Sequence, residues 1–347
     1  MKVKKHWNAL AAFVLSAALI AGCGGGKSEQ AAGTEPSAAK GEKIKMKMSV
    51  TTSETSTWYK GAQMWADKVK EKTNGQVEIK IYANEQLSNG NQPKGIELLQ
   101  NGSTDASLHS TIIYSGLDEK FSVISMPWLF TDESVADKAL AGAGGEKLSE
   151  LLREKGVEPL AFGENGFRQI TNSKRPITSP ADMAGMKIRV PNMKMYIDLY
   201  KALGADPTSM SFSEVFTALQ QGTIDGQENP LPVIMSSKLY EVQKYVSLWN
   251  YSYDPLVLGV NKKLFDSLDK ETQDIMREAA VEAMEYQRKI NREENAQMVK
   301  ELEAKGVTVT TLTPEQVKAF QDKVAPIYDQ YTDTIGKDLI DAFRGAN

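Results

Sequence analysis

The chain has 347 residues, a formal net charge of -4 and 25% charged residues, with only two histidines and one cysteine. No basic cluster is available to neutralise phosphates, so nucleic acid is not an expected partner. A zinc site needs Cys and His clusters that the sequence lacks, and a histidine triad would have only His109 outside the leader. We therefore expect no metal, no organic cofactor and no enzyme, although two placed carboxylates would suffice for a glycosidase.

The N-terminus predicts export. Residues 1–5 are basic and residues 9–21 form a short apolar run, as in a signal peptide. The sequence Leu-Ile-Ala-Gly-Cys at 19–23 resembles the lipobox of bacterial lipoproteins. We predict a signal peptide over 1–22, lipid attachment at Cys23 and a flexible tether over 23–43. The protein is then extracytoplasmic and lipid-anchored to the membrane, facing the periplasmic space if the organism has an outer membrane.

The first half of the remaining chain alternates between strand and helix patterns. Strands are predicted at 44–50, 77–81, 106–109 and 158–162. Helices are predicted from 59 to a stop at Asn74-Gly75, at about 93–101 and at 133–155. Strands separated by helices predict an α/β fold with a mostly parallel sheet covered on both faces, and about 300 residues divide more naturally into two lobes than one.

The second half adds a strand at 187–190 and a helix at 196–203. Residues 211–214, Ser-Phe-Ser-Glu, predict a capping box that opens a helix to about 221. Residues 269–305 predict either one unusually long helix or two helices end to end. A strand at 307–312 and helical periodicity from 314 complete the pattern.

Arg189 is the anomaly of the strand at 187–190, because it stands between Ile188 and Val190 in an apolar run. It is either a bidentate clamp for a ligand carboxylate or half of an internal salt bridge, and the residues alone leave both open. Asp225-Gly226 is a turn signal that predicts Asn229 on an exposed loop. Phe212, beside a helix N-cap, is either a hydrophobic staple or a ligand contact.

Four motifs carry a family resemblance: NGFRQITN at 165–172, KIRVP at 187–191, SEVFTALQ at 213–220 and DGQENP at 225–230. Together they resemble the DctP-type extracytoplasmic solute-binding subunit of tripartite ATP-independent periplasmic (TRAP) transporters. The resemblance implies a two-lobe, periplasmic-binding-protein-like α/β fold that closes over its ligand, with a long helix spanning both lobes. Residues 44–165 plus about 255–295 would form lobe I, and residues 166–254 plus about 296–347 lobe II.

The resemblance also implies a binding site. Arg189 would pair with the ligand carboxylate, Arg168 would be a second polar contact, and Asn229 would donate a hydrogen bond to the same carboxylate. Phe212 and Asn192 stand where sugar-acid binders place a ring-packing aromatic and an amide donor.

The implied ligand is a small carboxylate, passed to the small and large permease components of the membrane. A sugar acid such as a hexuronate or an aldonate is favoured. Ser110 and Ile113 stand where sialic-acid binders carry a glutamate and an arginine, which disfavours sialic acid. The alternatives are a C4-dicarboxylate or a keto acid in the same system, or delivery of the ligand to a sensor kinase.

Overall fold

The computed structural model of the protein describes residues 43–345. The predicted signal peptide, Cys23 and nearly all of the predicted tether lie outside the described residues. Within them, no helix combines the length and the apolar character that a membrane span requires.

Eleven strands and twelve α-helices make up the described chain. In chain order they are β1 (Ile44–Val50), α1 (Thr57–Lys72), β2 (Val77–Tyr82), α2 (Gln92–Gln100), β3 (Ala106–Ser110), α3 (Thr111–Tyr114), α4 (Glu133–Ala141), α5 (Ala143–Glu154), β4 (Val157–Phe167), β5 (Gln169–Asn172), β6 (Lys187–Val190), α6 (Lys194–Ala202), β7 (Asp206–Ser209), α7 (Phe212–Gln220), β8 (Gly226–Asn229), α8 (Leu231–Ser236), β9 (Tyr245–Leu248), β10 (Tyr253–Asn261), α9 (Lys262–Ser267), α10 (Lys270–Ala304), β11 (Thr308–Thr311), α11 (Pro314–Ile335) and α12 (Lys337–Arg344).

The strands form two sheets, in the orders β2-β1-β3-β10-β4 and β11-β9-β5-β8-β6-β7. We call the two sheets with their covering helices the first and the second lobe. The expectation of a mostly parallel sheet holds for all but one strand of each sheet: β10 runs antiparallel between β3 and β4, and β5 runs antiparallel between β8 and β9. The sequence pattern did not predict β10. All nine of its residues are buried, so it lacks the alternation of apolar and polar residues that marks a half-buried strand.

Between β1 and β11 the chain crosses between the lobes three times. Arg168 is the single residue between β4 of the first sheet and β5 of the second, and residues 249–252 lead back from β9 to β10. The third crossing is α10, one unbroken helix of 35 residues, which decides between the two alternatives for this segment. It packs on α1 and β4 in the first lobe and reaches α8 and β11 in the second, so it spans both lobes as expected.

The C-terminal helices contact both lobes. α11 packs on α6, and α12 packs on α4 and α5 of the first lobe. The predicted lobe boundaries at 165/166, 254/255 and 295/296 remain a prediction, although the first two lie close to the observed crossings at Arg168 and 249–252.

The helix predicted over 133–155 is in fact two helices, α4 and α5, which meet at Gly142. Gly142 adopts an extended conformation (φ -108°, ψ -155°) that ends the first helix and begins the second. Gly145 lies so near Leu140 that an added Cβ would stand 1.8 Å from the carbonyl oxygen of Leu140. Only glycine permits this close approach of the two helices. The helical periodicity of the sequence gives no sign of the break between them.

Candidate ligand-binding site

A cavity lies between the two lobes, at matching edges of the two sheets. In the first sheet β1, β3 and β4 run in one direction, and their carboxyl ends supply Thr51, Ser110 and Asn165. In the second sheet the parallel strands β6 and β8 end at the cavity with Arg189 and Asn229. The carboxyl ends of parallel strands are where open α/β sheets bind ligands. The cavity is lined by Thr51, Thr52, Trp58, Gln92, Ser110, Ile112, Ile113, Asn165, Arg168, Arg189, Pro191, Phe212, Asn229, Val233 and Asp254.

Arg189 is a buried cation without a carboxylate partner among the described residues. Its side chain is 2% exposed, and its Nε and Nη2 donate only to the carbonyl oxygen of Met210, at 3.1 and 2.8 Å. Burial lowers the pKa of Arg189 to about 10, which leaves it charged at neutral pH. Both N–H groups of Nη1 make no hydrogen bond within the described chain. This guanidinium is therefore available to an anion that enters the cavity.

Arg168 is equally buried but is paired with two carboxylates. It donates to both carboxylate oxygens of Glu228, from Nε and, at 2.8 Å, from Nη2, and its Nη1 donates to Asp254 at 2.7 Å. Burial alone would lower the pKa of Arg168, but Glu228 and Asp254 hold it well above its ordinary value. Because Glu228 belongs to the second sheet and Asp254 to the first, Arg168 joins the lobes at their crossing. One Nη1 hydrogen is left for a ligand.

Asn229 lies where the site was expected but not on the loop that Asp225-Gly226 predicted. Residues 226–229 form β8, paired with β5, and Asn229 is 5% exposed. Its Oδ1 accepts a hydrogen bond from Arg168 Nη2 at 3.1 Å, and its Nδ2 donates to Gln227. The turn signal is local, whereas strand pairing with β5 is set by residues far away in the sequence.

Phe212 is half-buried and lies on the cavity wall, with its ring 5.8 Å from the guanidinium carbon of Arg189. It is the first residue of α7, as the capping pattern predicted, but the capping box itself is absent: Ser211 makes no side-chain cap bond. Asn192 is exposed and does not line the cavity, so the structure does not bring it to the other predicted site residues. It follows Pro191, which comes directly after β6 and itself lines the cavity.

The sequence did not single out Thr51, Gln92 or Asp254 as cavity residues. Asp254, at the start of β10, accepts hydrogen bonds from Ser110 and Asn165 at 2.6 and 2.7 Å as well as from Arg168. Burial raises the pKa of Asp254, although the positive charge of Arg168 acts to lower it. A signal for Thr51 existed, since it directly follows a predicted strand parallel to its neighbours. No comparable signal marks Gln92 or Asp254.

Trp58 also lines the cavity, and its indole Nε1 donates to Asn165 Oδ1 at 3.3 Å. Trp128, Trp249 and Tyr251 pack with one another and do not line this cavity.

Two α/β lobes, linked by three crossings around a cavity that holds a buried guanidinium with no carboxylate partner in residues 43–345, define a two-lobe solute-binding protein. Residues 48–334 match the family of bacterial extracellular solute-binding proteins, family 7 (DctP), and the chain belongs to that family. It is thus a DctP-type extracytoplasmic solute-binding protein of TRAP transporters, a class that binds small carboxylates and works with membrane permease subunits.

Relatives of known ligand are similar over most of the chain. The 2,3-diketo-L-gulonate-binding periplasmic protein YiaO of Escherichia coli is 36% identical over 83% of this chain and 86% of its own. A TRAP solute-binding protein of Ralstonia eutropha, solved with (S)-2-acetolactate, is 39% identical with a TM-score of 0.85, over 87% of this chain and 98% of its own. The sugar-acid-binding protein DctPAm of Advenella mimigardefordensis, in complex with galactonate, is 35% identical with a TM-score of 0.85, over 88% of this chain and 99% of its own.

Proposed function

We propose that this protein captures a sugar acid carrying one carboxylate, such as a hexuronate or an aldonate, for TRAP-mediated uptake. The single observation that carries the proposal is Arg189, a buried cation whose Nη1 hydrogens have no partner in the described chain. The similar proteins support the class, because structures of relatives contain galactonate, D-erythronate, β-D-galacturonate and L-gulonate.

The charges of the cavity wall favour one carboxylate over two. Among the described residues that line it, the only cations are Arg168 and Arg189. Arg168 is neutralised by Glu228 and Asp254, so a second ligand carboxylate would meet Asp254 and no free cation. The remaining wall offers hydroxyls and amides, which suit the hydroxyl groups of a sugar acid. A C4-dicarboxylate remains the alternative, because one relative was solved with succinate.

Capture would work by closure of the lobes. The cavity takes its wall from both sheets, so a bound solute contacts both lobes at once, and its binding energy shifts the population from open to closed. The closed form would then dock on the permease subunits. Delivery to a sensor kinase would use the same closure.

A thermal-shift panel tests the ligand class. We expect D-galacturonate, D-galactonate or L-gulonate to raise the melting temperature of the purified protein by several degrees, because saturation at a thousandfold over the dissociation constant adds about 4 kcal/mol. Neutral galactose is the matched control and should produce no shift. Stabilisation by succinate alone would replace the sugar acid with a dicarboxylate, and stabilisation by galactose alone would remove Arg189 from ligand binding.

We also propose that Cys23 carries the lipid that holds the protein at the outer face of the membrane. Cells expressing the full chain should incorporate labelled palmitate into the wild type and not into Cys23→Ser. Equal labelling of both proteins would contradict the anchor and leave the solute-binding function untouched.

A further inference from the structure

The two lobes touch at one side of the cavity, away from the crossings. The backbone N–H of Phe212 in the second lobe donates to Oε1 of Gln92 in the first, at 3.1 Å. Beside it, Ser213 Oγ donates to the carbonyl oxygen of Gly90 at 3.0 Å. These residues are about 120 positions apart in the sequence, and only the approach of the lobes brings them together.

This contact separates two spaces. Behind it lies an outer cavity, lined among others by Ser213, Gly90 and Glu85. Thr51, Gln92 and Phe212 line both the outer cavity and the ligand cavity. They form the partition between the two, so opening the contact between Gln92 and Phe212 would join the ligand cavity to the outer one.

The orientation of the Gln92 amide follows from its partner. A backbone N–H can only donate, so the atom of Gln92 that faces Phe212 must be the oxygen. The Nε2 group is therefore on the other branch of the amide, and its two N–H donors make no hydrogen bond to any residue that the structure describes. The side chain is 6% exposed and lines the ligand cavity. These donors are therefore available to an oxygen atom of a solute in the cavity.

We propose that Gln92 couples solute recognition to lobe closure: Nε2 donates to an uncharged oxygen of the solute, a hydroxyl or a keto group, while Oε1 holds Phe212 of the opposite lobe. The inference rests on the proposed function, in which Arg189 takes the solute carboxylate. Gln92 would then contact the uncharged end of the solute. The cavity would be sealed only when that end offers an oxygen atom to Gln92.

The segment that presents Gln92 is held in a fixed shape. Asn84, Glu85 and Asn89 all have positive φ, between 52° and 53°, a conformation that ordinary side chains rarely adopt. Glu85 ties this segment to the first sheet, because its carboxylate accepts hydrogen bonds from Ser49, Thr51 and Ser88 and lies 2.7 Å from His109 Nε2. Gln92, the first residue of α2, follows directly. Such preorganisation lowers the cost of ordering the donor when the solute binds.

The test compares two acids by isothermal titration calorimetry: D-galacturonate, which carries hydroxyl groups, and hexanoate, which does not. In Gln92→Leu the contact with Phe212 is lost for both acids, so the ratio of the two dissociation constants isolates the solute contact. We expect the preference for D-galacturonate over hexanoate to fall by about tenfold. Gln92→Glu at pH 8 keeps an acceptor for Phe212 and loses the donors, and it should also weaken D-galacturonate binding by at least tenfold.

Ser213→Ala is the matched control. It removes the neighbouring contact between the lobes, and Ser213 does not line the ligand cavity. It should change the dissociation constants of both acids by one common factor. A preference that survives unchanged in Gln92→Leu, or wild-type affinity for D-galacturonate in Gln92→Glu, would overturn the inference while sugar-acid binding stands. Failure of the unchanged protein to bind any sugar acid would contradict the proposed function itself.

Discussion

Replacement of Arg189 by methionine should raise the dissociation constant for the bound sugar acid by about a hundredfold to several thousandfold, or roughly 3–5 kcal/mol. The ligand carboxylate would enter a desolvated cavity without its cation. The other lining cation, Arg168, is held by Glu228 and Asp254 and can offer only one hydrogen. Isothermal titration of wild type and variant with the same sugar acid measures the change.

Arg189→Lys is the informative control, because it keeps the charge and removes the planar pair of donors. We expect it to recover only part of the lost affinity, since an ammonium cannot bind a carboxylate bidentately. If Arg189→Met bound the ligand as tightly as the wild type, the carboxylate would have to be held elsewhere in the cavity.

Replacement of Arg168 by methionine should instead unfold the protein more easily, lowering the free energy of unfolding by about 3–5 kcal/mol at neutral pH. The variant would leave Glu228, which is 0% exposed, and Asp254, also 0% exposed, without their cation. Urea unfolding of the ligand-free protein, monitored by tryptophan fluorescence, measures the loss.

The pH dependence of that loss has a definite sign. Burial already raises the pKa of Asp254, and removal of Arg168 would raise it further. A carboxyl group whose folded pKa lies above its unfolded pKa costs stability that grows as pH rises from the unfolded pKa towards the folded one, and the cost is absent below the unfolded pKa. The deficit of Arg168→Met should therefore be smaller at pH 5 than at pH 7.5.

Arg189→Met serves as the stability control for Arg168→Met. It removes a guanidinium of the same size and similar burial, but one that neutralises no carboxylate by direct contact. We expect no loss of unfolding free energy comparable to that of Arg168→Met, since a buried cation without a carboxylate partner costs stability instead of adding to it. Equal losses in the two variants would mean that both arginines act structurally.

Several features followed from the sequence alone because their signals are local. The strands β1, β2 and β3 show alternation of apolar and polar residues, and the 35-residue helix α10 lies between end caps without an internal proline. The motifs around Arg168, Arg189 and Asn229 identified the family, and these three residues do meet at the cavity.

The tertiary structure decided what depends on distant residues. Arg168 and Arg189 are the same residue type in similar buried settings, and only the positions of Glu228 and Asp254 make the first a link between the lobes and leave the second open to an anion. Gln92 was undetectable because its partner, Phe212, reaches it only across the cavity. Local propensity follows from short-range sterics and patterning, whereas charge pairing and cavity walls follow from how the two sheets are placed, which no short stretch of sequence encodes.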